Sequence, residues 1–153
     1  MKVAIYTRVS TDEQAKEGSS LEVQRQSLES FIKREESQKA GWEIYYPRPG
    51  EIYEDDGYSG YSMERPALKR LLEDAKKKKF DLILVHKIDR FSRKLKDLLN
   101  LVDELENYEV HLKSSTEFYD TTSSSGKMMF QQLGSFAEFE RNRIKERVFP
   151  GML

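Results

Sequence analysis

The chain contains no cysteine, which excludes disulfides and every zinc site built on thiolates. It has two histidines, His86 and His111. They are too few for a histidine-rich metal centre, and neither has a neighbour that suggests a serine–histidine–acid triad. No apolar run approaches the length of a membrane span, and the opening MKVAIYTRVS is too short and too interrupted for a signal peptide. These absences predict a soluble, cytoplasmic protein with no membrane contact. Charge of one sign is lacking too: 26 Lys and Arg against 27 Asp and Glu leave a net charge of −1. Strong autonomous DNA binding is therefore not expected, although charge can be concentrated locally. No glycine-rich phosphate loop carries the lysine it would need. No acidic cluster is spaced for magnesium, because Asp55 and Asp56 are adjacent and would point apart on a strand. Neither a metal nor a cofactor is expected.

What is present suffices for one packed domain. The chain has 153 residues, 37% hydrophobic and 35% charged, and this length can bury one substantial core. Val3-Ala4-Ile5-Tyr6 reads as a short strand, followed by a polar loop from Thr7 to Gly18. Ser19-Ser20-Leu21-Glu22 has capping-box spacing. It predicts a helix to about Lys39, with Leu21, Leu28, Phe31 and Ile32 inward and Gly41 ending it. Trp42 to Tyr46 alternates weakly, Pro47 to Gly50 is a turn, and Ile52-Tyr53 adds strand residues. Gly57 to Ser62 is a loop. Pro66 suits a first helical turn, and Leu68, Leu71, Leu72 and Ala75 then repeat at helical spacing. Phe80 to Val85 is the strongest strand, apolar enough to be central. Leu95, Leu98, Leu99, Val102 and Leu105 mark another helix, and Val110 to Leu112 a short strand. Thr121 to Gly126 reads as a loop, and helical spacing resumes from about Lys127 through Ile144.

Alternating strands and helices predict an α/β fold: a mostly parallel central sheet flanked by helices, with a long C-terminal helix. The expected division is a catalytic core over 1–125 and the start of a long helix over 126–153. That last helix carries Phe136, Phe139, Ile144 and Phe149 with no later element to cover them. The chain therefore reads as part of something longer, its helix either folded back on the sheet or meeting another subunit.

Two constellations carry chemistry, each directly after a strand, where ligands collect in open α/β sheets. In Tyr6-Thr7-Arg8-Val9-Ser10, Arg8 and Ser10 would share a side if the strand reaches that far, so a guanidinium could hold a phosphate while the hydroxyl attacks it. The plain alternative is Ser10 as a turn cap and Arg8 in a surface pair. In Lys87-Ile88-Asp89-Arg90-Phe91-Ser92-Arg93, the two arginines would lie on one face if a helix begins here, near an anion-favouring N-terminus. Asp89 would either cap that helix or act as an acid near a leaving oxygen. Ser59-Gly60 and Glu64-Arg65-Pro66 place one more arginine before a helix, where it could add a positive charge to a shared phosphate but by itself reads better as an ordinary helix-start arginine. Any phosphoryl chemistry would then rely on arginines, which can stabilise charge on the equatorial oxygens without a metal.

Taken together, these stretches resemble the serine recombinase family of resolvases, invertases and large serine integrases. The matching segments are Tyr6 to Thr11, Leu21-Glu22-Val23-Gln24, Ser59-Gly60 with Arg65-Pro66, Lys87 to Arg93, and Ala137 to Arg141 with Ile144 to Arg147. They stand in the family's order and cover nearly the whole chain. The stretch from Asp12 to Leu21 looks more like large integrases and transposases than small resolvases.

The resemblance implies that Ser10 attacks the scissile phosphodiester of double-stranded DNA, giving a 5′-phosphoserine link and a free 3′-hydroxyl. Arg8, Arg65, Arg90 and Arg93 would surround the phosphate, with Asp89 as candidate acid for the leaving oxygen. Tyr6, Gln24, Lys87, Glu140 and Arg141 would lie in or near the site. It further implies att- or res-type target sites, dimers and synaptic tetramers, a final helix that dimerises and contacts DNA, strand exchange and religation, no cofactor, and a bacterial or mobile-element origin. The family continues into DNA-binding domains, and the near-neutral charge predicts poor recombination by these 153 residues alone. Two other readings remain: a non-catalytic α/β module that binds nucleic acid or a partner, in which Ser10 is dispensable, and a phosphotransferase acting on free phosphate esters.

Overall fold

The computed structural model describes residues 1–15, 20–39 and 41–148. Five strands form a parallel sheet: β1 (Lys2–Val9), β2 (Glu43–Tyr45), β3 (Tyr53–Asp56), β4 (Leu82–Val85) and β5 (His111–Ser114). The helices are α1 (Leu21–Lys39), α2 (Pro66–Lys76), the short α3 (Ile88–Phe91), α4 (Leu95–Asn107) and the long α5 (Ser124–Val148), with a 3₁₀ turn over Glu13–Ala15. The strand order is β2-β1-β4-β5. β1 is long enough to serve two neighbours in turn. Lys2 to Ala4 lie opposite Glu43 to Tyr45, and Tyr6 to Val9 lie opposite Tyr53 to Asp56.

Side chains alternate across the strands and build two cores. Val3 and Ile5 of β1 and Leu82 and Leu84 of β4 pack with Leu28 and Ile32 of α1. Ala4 and Tyr6, with Ile83 and Val85, pack with Leu68 and Leu71 of α2 and Leu101 and Leu105 of α4. Phe130 joins this second core from the start of α5, its ring 5.5 Å from that of Tyr119. Helices thus cover both faces of a parallel sheet, as the alternating pattern predicts. No described helix is long and apolar enough to cross a membrane.

Several boundaries differ from expectation for identifiable reasons. The expected loop at Thr7-Arg8-Val9 is strand, and Glu54 to Asp56 extend the brief strand at Ile52-Tyr53. These polar stretches pair with each other, Arg8 opposite Asp55, and both buried charges have hydrogen-bond partners, which removes the penalty that burial would impose. At α1 the serine that caps is Ser20, whose hydroxyl accepts the Val23 amide at 3.2 Å. Ser19 lies outside the described residues. Gly41, just past the helix, has φ of 127°, a conformation that favours glycine. The Thr121 to Gly126 stretch is only partly loop, since α5 begins at Ser124. Phe149 lies outside the described residues, while Phe136, Phe139 and Ile144 remain more than half exposed on α5.

Candidate active site

The site forms where β1 and β4 end side by side. β1 stops at Val9, and the chain turns at Ser10 into the 3₁₀ turn at Glu13. Ser10 and Glu13 bond reciprocally. The Ser10 hydroxyl donates to Glu13 Oε1 at 2.9 Å and accepts the Glu13 amide at 3.3 Å, while Oε1 also accepts the Ser10 amide at 3.2 Å. Ser-x-x-Glu is capping-box spacing, so Ser10 does cap a turn, as its plain alternative holds. The same carboxylate does more. Its Oε2 accepts from Arg90 Nη1 and, at 3.1 Å, from Arg93 Nη2, and Arg8 Nη1 lies 3.5 Å from Oε1. Burial pushes the Glu13 carboxyl up, but hydrogen bonds from Ser10 and Arg90 outweigh it and hold the group down at about 2.

The four predicted arginines divide into two kinds. Arg8 and Arg65 are fully buried. Arg8 donates to the carbonyls of Arg90, Tyr58 and Asp89 at 3.1, 3.0 and 3.0 Å. Arg65 donates to the carbonyls of Ser62 and Phe91 at 2.9 and 2.7 Å and to the Tyr6 hydroxyl at 3.1 Å. Burial lowers the Arg8 pKa, and Glu13 opposes that shift. Both side chains brace α3 by its carbonyls. Arg90 and Arg93, with side chains 11% and 32% exposed, are the guanidiniums that keep some access to solvent. They do not share a helix, because α3 is one turn long and Ser92 is already extended, with φ of −158°. They meet at Glu13 because the backbone folds back, the Arg93 amide donating to the Gly60 carbonyl at 3.0 Å.

Asp89 does not cap α3. It sits within the first turn, and the Ile88 amide donates instead to Glu117 Oε1 at 2.7 Å. The Asp89 carboxylate is 3.7 Å from Arg90 Nε; those two atoms are among the buried polar atoms without a hydrogen-bond partner. Gln24 clamps β1, its amide donating to the Arg8 carbonyl at 3.0 Å and its Oε1 accepting the Arg8 amide at 3.3 Å. Tyr6 is buried, and its hydroxyl donates to Asp55 Oδ2 at 2.6 Å; burial raises its pKa. Lys87 is exposed and contributes its carbonyl to the Arg90 amide at 3.0 Å. Glu140 and Arg141 lie on α5, where Glu140 pairs with Arg143 at 3.9 Å and Arg141 is exposed. The structure therefore joins Ser10, Arg8, Arg90 and Arg93 through one carboxylate, sets Arg65, Tyr6 and Gln24 behind them as supports, and leaves Glu140 and Arg141 on the separate helix.

Sequence reasoning missed Glu13 and Asp55. The Ser10–Glu13 spacing was a usable signal for the first. For the second there was none: Asp55 is buried by its strand, where it accepts the Ala67 and Leu68 amides at 2.8 and 3.0 Å as well as the Tyr6 hydroxyl. A serine-bearing turn beside guanidiniums that already hold an oxyanion is chemically suited to a phosphate.

Comparison with known proteins agrees. The family model "Resolvase, N terminal domain" matches residues 3–153. The chain is 40% identical over 151 residues to a putative DNA recombinase of Bacillus subtilis (strain 168), covering 99% of this chain and 27% of the relative. It is 35% identical over 147 residues to a DNA-invertase of Escherichia phage P1, covering 96% of this chain and 66% of the relative. It thus spans about a quarter and about two thirds of those two proteins. Among solved structures, the N-terminal catalytic domain of TP901-1 integrase superposes with a TM-score of 0.81 at 40% identity, over 93% of this chain and 98% of that one. A resolvase family site-specific recombinase from Streptococcus pneumoniae gives 0.76 at 34%, over 99% and 95%. With the parallel sheet, the ordered motifs and these matches in agreement, the chain belongs to the serine recombinase family, as a resolvase-type catalytic domain.

Proposed function

We propose that this domain cleaves and rejoins double-stranded DNA through Ser10. The Ser10 oxygen attacks the scissile phosphorus and gives up its proton to solvent water. The bond to the 3′-oxygen breaks, and that oxygen takes up a proton as the free 3′-hydroxyl. The phosphate stays esterified to Ser10 at the 5′ end, so its bond energy is kept for religation after strand exchange. Arg90 and Arg93 carry the charge on the non-bridging oxygens. Arg8 and Arg65 act mainly by fixing the α3 backbone that presents them, and Asp89 is the candidate proton donor to the leaving oxygen. Partners are att- or res-type DNA sites and further copies of the chain, assembled as dimers and tetramers through α5.

The observation that carries this reading is that the Ser10 hydroxyl and the Arg90 and Arg93 guanidiniums converge on one oxyanion, that of Glu13. The test joins this chain to a DNA-binding domain of known site and incubates it with a nicked duplex carrying that site, without added metal. A covalent adduct at the 5′ end, absent with Ser10→Ala, is expected. An adduct that persists in Ser10→Ala would remove the nucleophile assignment, and no adduct at all would favour the non-catalytic module.

A further inference from the structure

The Glu13 carboxylate stands between the Ser10 hydroxyl and the Arg90 and Arg93 guanidiniums. Its Oε1 takes the Ser10 hydroxyl at 2.9 Å, and its Oε2 takes Arg90 and, at 3.1 Å, Arg93. Capping of the turn accounts for Oε1 alone. The contacts of Oε2 come from residues some eighty positions away and contribute nothing to a local cap. The side chain is nearly closed off from solvent, at 9% exposure, and lies between nucleophile and cations. A carboxylate and a phosphodiester each carry one negative charge and offer two oxygens to a guanidinium fork.

We propose that the Glu13 carboxylate is a built-in surrogate for the scissile phosphate, and that DNA enters by exchanging its phosphate for this carboxylate on Arg90 and Arg93. The inference rests on the recombinase reading of the site and adds to it a resident competitor. The exchange leaves the charge around the arginines unchanged, so the cations are never unpaired. It also couples two events. Rotation of the Glu13 side chain frees the guanidiniums and, in the same movement, releases the Ser10 hydroxyl from its acceptor. A site without phosphate is thereby kept from reacting, and acidification in the physiological range does not open it, since the carboxyl stays ionised down to about pH 2.

The test uses the 153-residue chain and inorganic phosphate as probe. Phosphorus NMR titration should give at least tenfold tighter phosphate binding for both Glu13→Gln and Glu13→Ala than for the unsubstituted chain, and adding Arg90→Ala should remove the gain. Circular dichroism confirms that each variant is folded. In the unsubstituted chain, which needs no substitution to fold, the carbon resonance of the Glu13 carboxyl should move as phosphate saturates. Affinities within twofold of the unsubstituted chain, weaker binding in both variants, no binding by either, or a Glu13 carboxyl that stays in place under bound phosphate would each overturn the exchange. An adduct independent of Ser10 would overturn the nucleophile assignment and leave this result standing, so the two readings fail separately.

Discussion

Glu13 shows how far a single side chain can be moved from its ordinary chemistry by its neighbours. Its carboxyl is held at about 2, against 4.5 for a free glutamate. A carboxyl depressed in the folded state stabilises the protein above its unfolded pKa, and that stabilisation is lost as pH falls through the folded value. Between about pH 4.5 and about pH 2 the unsubstituted chain should therefore lose more unfolding free energy than Glu13→Gln. Urea denaturation of both chains across that range checks this, and equal losses would contradict it. Asp55 is a second test at this scale. Its two oxygens take the Tyr6 hydroxyl and the first amides of α2, so Asp55→Ala leaves three buried donors without their acceptor. The expected cost is about 3 kcal/mol, read from the urea midpoint. A change below about 0.5 kcal/mol, the size usual for surface substitutions, would mean that water replaces the carboxylate.

At the scale of elements, α3 is the dependent one. Four residues cannot sustain a helix by themselves, and this one is held by Arg8 and Arg65 at its carbonyls and by Glu117 at its first amide. The loop that carries Gly60 closes over Arg8 and Arg93. A Cβ at Gly60 would stand 2.9 Å from Arg8 Nη2 and 2.9 Å from Arg93 Cγ. Gly60→Ala should thus displace the Arg8 guanidinium and the stem of Arg93, lowering covalent adduct formation on DNA by about tenfold or more. Thermodynamic stability should fall by about 1–3 kcal/mol, the usual cost of overpacking. An adduct rate equal to that of the unsubstituted chain would show that the loop moves aside without disturbing the arginines.

For the whole molecule, the charge balance and α5 set the behaviour. A chain of net charge −1 releases few counterions from DNA, so its own affinity for duplex should be weak and should vanish at about 0.15 M salt. The amino-terminal part of α5 is anchored by Phe130 in the core, whereas Phe136, Phe139 and Ile144 stand 57%, 56% and 59% exposed. Apolar side chains in that number on one helix favour association. Sedimentation equilibrium should find concentration-dependent self-association, shifted toward monomer by Phe136→Ser with Phe139→Ser. An unchanged monomer fraction would take α5 out of the interface.

Periodicity alone determined most of the architecture. Short apolar runs and helical spacing identify the strands and helices of a doubly covered parallel sheet, because burial on both faces of the sheet and one face of each helix imposes those patterns on the sequence itself. Ordered short motifs likewise brought out Ser10, Arg8, Arg90 and Arg93, each tied to the end of a strand. Tertiary structure decided what those residues do to one another. That Thr7 to Val9 and Glu54 to Asp56 are strands depends on their pairing across the sheet, Arg8 opposite Asp55. That Arg8 and Arg65 are fully buried while Arg90 and Arg93 keep partial exposure depends on which carbonyls lie within reach. That Glu13 fills the anion position depends on Arg90 and Arg93, 77 and 80 residues away, and electrostatics acts through space at distances that no local pattern records.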